Sequence, residues 1–168
     1  MRICWISMVA LLLSSAPQMA TGGSVDDIDW KVGKLSHLAK HIGTYHYETV
    51  LTDPDVDAAL NKFMATEEKK ILVKNLQVRP PIAFSGTHMI LSGNKPHSGS
   101  SDTALIALSL KYGSIHVLVQ HASKVKVYSA EPFKANIPGD FLSEVQRFNL
   151  DCVHMLDPCE VVWVGRSD

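Results

Sequence analysis

Apolar residues recur at helical spacing first, then at strand spacing, then at helical spacing again. Ile28, Val32, Leu35, Ala39 and Ile42 share one helical face, which predicts a helix over 27–42 despite Gly33. Tyr45, Tyr47, Thr49 and Leu51 alternate, which predicts a strand over 44–51. Asp53 carries a capping oxygen and Pro54 suits a first helical position. Val56, Ala59, Leu60, Phe63 and Met64 then line one face of a helix over 54–65. Further strands are expected over 71–78, stopped by Arg79-Pro80-Pro81, and over 84–91. The run 104–110 is nearly all apolar and reads as a central strand buried on both faces. Strands over 115–121 and 124–128 follow. Phe141, Leu142, Val145 and Phe148 then return to helical spacing, and 161–164 closes as a short strand. Helices, meandering strands and a last helix predict a single α+β domain, an antiparallel β-sheet packed with α-helices.

The first 22 residues stand apart from this pattern. Arg2 precedes an apolar run from Ile3 to Leu13, and Ala20-Thr21-Gly22 puts small residues where a signal peptidase needs them. The expectation is a signal peptide over 1–22 and an exported, periplasmic domain over 23–168. Arg2 leaves with the leader, so 16 basic and 17 acidic residues become 15 and 17, a mature charge of about −2. That balance gives no basic footprint for nucleic acid, and no later stretch is long and apolar enough for a membrane span. Cys4 also leaves, and Cys152 and Cys159 remain. An even cysteine count in an exported protein suggests a disulfide; a metal pair and two free thiols are the alternatives. His37 and His41 are four apart, as paired metal ligands are, but Leu38, Ala39 and Lys40 between them supply no zincin glutamate, so solvent-facing histidines are expected. No metal or cofactor is predicted. No serine-nucleophile elbow or phosphate-binding glycine loop appears, so the chain does not read as an enzyme.

Twelve residues, 92–103, separate two of the predicted strands, which is long for a hairpin. Most are Gly, Ser, Asn or Thr. Lys95-Pro96-His97 interrupts them, and proline stiffens its own residue and the one before it. Such a tripeptide at a loop tip presents hydrogen-bond donors on a rigid support.

The segment Asn94-Lys95-Pro96-His97-Ser98-Gly99 resembles the Cys-Lys-Pro-His-Asp-Cys loop of the periplasmic inhibitors of vertebrate (c-type) lysozyme, the Ivy family. The upstream capped helix, the flanking strand pair and the leader agree with it, and the resemblance runs from about Tyr45 to Tyr128. It implies a non-enzymatic inhibitor whose partner is c-type lysozyme or another muramidase. The target-binding loop would be Asn94, Lys95, Pro96, His97 and Ser98. His97 would hydrogen-bond the two catalytic carboxyls in the cleft, with Lys95 and Pro96 shaping the approach. Asn94 and Gly99 stand where the family has its loop-closing cysteines, and Ser98 where it has an acid. Hydrogen bonds from Asn94, Ser98 and Asp102 are the candidates for holding the loop instead. The alternative is a periplasmic binding or structural domain that has lost inhibition. An enzyme using His97 as a general base is a third reading. The sequence leaves self-association open.

Overall fold

The computed structural model describes residues 33–98, 101–122, 124–129, 138–154 and 160–165, those from 148 onward as backbone only. The segment 1–22, predicted as a leader, lies outside them, as does Cys159. A 3-10 helix, Ser36–His41, is followed by α1 (Tyr47–Leu51), α2 (Pro54–Leu60) and α3 (Thr66–Asn75). The strands are β1 (Ala83–Ser85), β2 (His88–Asn94), β3 (Thr103–Ser109), β4 (Ile115–His121) and β5 (Lys124–Ser129). α4 (Gly139–His154) leads to β6 (Glu160–Gly165). The sheet runs β1-β2-β3-β4-β5-β6. Its first five strands are an antiparallel meander, as an α+β fold requires. β6 pairs parallel to β5, because α4 carries the chain back across the sheet before it pairs.

Every residue of β3 is buried, as its nearly all-apolar run predicts. Ala104, Ile106 and Leu108 face α1–α3 in the larger core. Leu105 and Ala107 face the other way, onto Phe141 and Val145 of α4. Asp53 caps α2 through Oδ1, which accepts from the N–H groups of Asp55 and Val56 at 3.1 and 3.3 Å. α2 stops at Leu60, earlier than predicted.

Four further predicted elements change type or length. The helix over 27–42 reduces, within the described residues, to the 3-10 helix. Gly33 explains its start: a Cβ there would lie 2.2 Å from the Leu110 carbonyl oxygen. The chain at Gly33 therefore lies flat against the end of β3, and Leu35 N–H donates to Leu110 C=O. Gly33→Ala should lower stability by roughly 1–3 kcal/mol, read as a lower urea midpoint, since the obstructing atoms are backbone. The strand over 44–51 is instead helix α1, because Tyr47, Val50 and Leu51 also stand at helical spacing and bury one face. The strand over 71–78 is instead α3. Glu68 accepts from Ala65 N–H at 3.1 Å and starts the helix, and Leu72 and Leu76 bury beneath it. The predicted strand over 84–91 is split by a turn at Gly86-Thr87 into β1 and β2, with Gly86 at φ +58°.

Two side chains carry this framework to the loop end of the sheet. Tyr47 is fully buried, and its hydroxyl donates to the carbonyls of Pro80 and Ser92, each at 3.0 Å. Tyr45, at the start of the same segment, is exposed. Asn75, the last residue of α3, is buried and donates through Nδ2 to the carbonyls of Thr103 at 3.0 Å and Gln120 at 2.7 Å. Those two residues face each other across β3 and β4, where the loop begins.

Candidate functional site: the Lys-Pro-His loop

Lys95, Pro96, His97 and Ser98 form one tight turn. Ser98 N–H donates to Lys95 C=O at 3.3 Å, the bond that closes a four-residue β-turn. Pro96 takes the second position, where its ring fixes φ. His97 takes the third with φ +60°. Proline followed by a positive φ is the signature of a type II turn, and its third position is normally glycine. A histidine there bears a left-handed conformation of about 1–2 kcal/mol cost. Its side chain is exposed and makes no hydrogen bond among the described residues.

The base of the turn is closed from within. Asn94 ends β2; its N–H and C=O exchange hydrogen bonds with Val78, both at 2.9 Å, and its side chain is exposed. Lys95 N–H donates to Asp102 C=O at 3.0 Å. The Ser98 hydroxyl donates to Lys95 C=O at 2.7 Å, and the Ser101 hydroxyl to Ser98 C=O at 2.8 Å. The centre of the arrangement is the Asp102 carboxylate, whose side chain is 9% exposed. Its Oδ1 meets His121 Nδ1 at 2.5 Å, and its Oδ2 meets Lys95 Nζ at 3.4 Å. The Ala122 N–H also donates to it.

Burial alone would raise the Asp102 pKa. The hydrogen bond from His121, the nearby Lys95 charge and the Ala122 N–H outweigh it and hold the carboxyl below its ordinary value. The interaction is therefore complete above the ordinary carboxylate range and is lost only as pH falls through that lowered value. Exposed ion pairs contribute little, but a buried carboxylate must keep its donors or pay for desolvation.

The structure thus brings all five predicted loop residues together and divides their work. His97 points out. Lys95 is turned toward Asp102 and ties the turn to it. Ser98 and Asp102 hold the loop as expected, whereas Asn94 does so through its backbone. His121 was not legible as a partner, since it lies 19 residues from Asp102. Only the β3–β4 register, which pairs Thr103 with Gln120, puts the two side by side. Elsewhere, His37 bonds Asp53 at 2.7 Å and His41 is buried, not solvent-facing. Among the described residues no group of three or more metal-ligating side chains forms.

An α+β domain presenting a stapled, exposed turn belongs, by its construction, with proteins that work by binding. The family model described as "Inhibitor of vertebrate lysozyme (Ivy)" matches residues 55–149, from α2 into α4 and including the whole loop. That is more than half of the chain, and the chain belongs to this family. Membership implies a non-enzymatic lysozyme inhibitor that binds c-type lysozyme. No curated protein and no solved structure matches the chain.

Proposed function

We propose that the protein is an exported, periplasmic inhibitor that inserts the Lys95-Pro96-His97 turn into the active-site cleft of c-type lysozyme. The observation that carries this reading is His97 itself. The turn would be less strained with glycine at this position, so an exposed histidine there is retained for its side chain and not for the fold. Lysozyme works with a glutamic acid in an apolar pocket and a nearby ionised aspartate. An imidazole with two ring nitrogens can hydrogen-bond both carboxyls at once. Pro96 and the Asp102 contacts keep the turn in one shape, which reduces the ordering cost of entry. In the family pattern a disulfide closes the loop; here Asp102, Lys95 and His121 close it without covalent bonds.

Cys152 lies in α4. Its proposed disulfide to Cys159 would tie the end of that helix to the approach to β6, and it suits the oxidising periplasm.

Insertion makes binding and cleft occupancy mutually exclusive. Titration of the mature protein into c-type lysozyme should therefore lose apparent affinity in proportion to added N-acetylglucosamine trimer, a cleft-filling sugar. Affinity unchanged by saturating trimer would place the inhibitor elsewhere on the enzyme. A folded protein with no affinity at micromolar concentration would favour the domain that has lost inhibition.

A further inference from the structure

We propose that His121 is a positioning residue of the inhibitory loop, holding the Lys95–His97 turn in its binding shape through Asp102 without contacting the target. The inference rests on the insertion reading above and assigns a role to the neighbouring β4–β5 turn. His121 ends β4, and Ala122 at φ +54° turns the chain sharply toward β5. Both the His121 ring and the Ala122 N–H are thereby directed onto the same buried carboxylate. Asp102 in turn grips Lys95 twice, by its carbonyl at 3.0 Å and by Oδ2 at 3.4 Å. A chain of contacts runs from the β4–β5 turn through Asp102 to the first residue of the Lys95–Ser98 turn.

The distances rank the parts of this chain. The contact from His121 is 2.5 Å, whereas Lys95 Nζ and the Ser101 hydroxyl stand at 3.4 Å. Without the His121 donor, the nearly buried carboxylate keeps the Ala122 N–H and side-chain contacts that are long. The carboxylate would then turn toward water and release Lys95. The binding shape becomes one of several, and affinity falls by the fraction of time it is occupied. Side-chain rigidity supplied from a neighbouring turn here takes the place of a covalent closure.

The experiment compares three variants of the mature protein against c-type lysozyme: His121→Phe, which keeps a ring but loses the donor; His121→Gln, which keeps a donor; and His97→Ala. Affinity is read by calorimetric titration, and amide hydrogen exchange is followed in the free protein. His121→Phe should bind roughly tenfold more weakly and exchange faster at the Lys95 and Ser98 N–H groups, with Ile106 and Val117 unchanged. His121→Gln should recover both readouts to within about threefold of the parent. Parent-like affinity for His121→Phe, beside a weak His97→Ala, overturns the positioning role alone. Weaker binding with unaltered exchange at Lys95 and Ser98 also overturns it, since His121 would then touch the target directly. Parent-like affinity for His97→Ala overturns the insertion reading and this role with it.

Discussion

Replacing His97 with alanine should weaken inhibition of c-type lysozyme by about 100-fold or more, the loss expected of a central, desolvated hydrogen-bonding residue. In the complex both lysozyme carboxyls would be sealed from water, so deleting the imidazole leaves two polar groups without a partner, which costs more than the bonds themselves. His97→Gly separates this effect from any damage to the turn. Glycine accepts the φ of +60° that His97 now holds. His97→Gly should therefore unfold at the same urea concentration as the parent or slightly higher, while losing inhibition as fully as His97→Ala. Inhibition that survives in both variants would remove His97 from the interface. Inhibition lost only in step with lowered stability would reduce the residue to a structural one.

The contrast between what the sequence announces and what it hides follows from the range of the interactions. Asp53-Pro54 starts α2 through contacts within three residues, so it is visible in the string. The nearly all-apolar run of β3 is visible too, since burial on both faces needs no partner to be named. Lys95-Pro96-His97 stands out because proline acts on its immediate neighbours. Segments 44–51 and 71–78 were misread because short apolar runs fit two periods. Tyr47, Val50 and Leu51 fit a helix as well as Tyr47, Thr49 and Leu51 fit a strand. In α3 the decision fell to Glu68, which bonds the backbone of Ala65 and commits the chain to a helix. The hold on the loop was only half legible. Asp102 sits within the loop and was a candidate, but His121 reaches it only through strand register, and no local pattern encodes register. The positive φ at His97 was hidden for the opposite reason: the residue that usually announces it, glycine, is absent.

Acid should destabilise the fold from the opposite face of the sheet, at a histidine pair the loop does not use. His116 in β4 is fully buried, and its ring lies 6.1 Å from that of His88 in β2 and 5.9 Å from that of Phe141 in α4. Nδ1 of His116 meets the Ser129 hydroxyl and Nδ1 of His88 meets Thr87, each at 3.0 Å. Nε2 of both rings is buried without a partner among the described residues. A second proton on either ring would be a buried charge with no ion-pair partner among the described residues; Asp140 of α4 hydrogen-bonds Ser85. Burial therefore lowers both pKa values, that of His116 from 6.5 to about 4, with His88 adding repulsion. The folded state holds fewer protons than the unfolded one between these limits, so stability is complete above pH 6.5 and falls as pH drops toward about 4. His116 alone should account for about 3 kcal/mol over that interval. Urea unfolding at pH 7.5, 6.0 and 5.0 would show a midpoint that declines with acidity, and the decline should be shallower in His116→Leu. Parallel declines in the two proteins would assign the acid sensitivity to other groups. The loop lies on different chemistry, because Asp102 stays ionised where His116 is already under strain. Inhibition at mildly acidic pH should therefore track the folded fraction and not fail ahead of it.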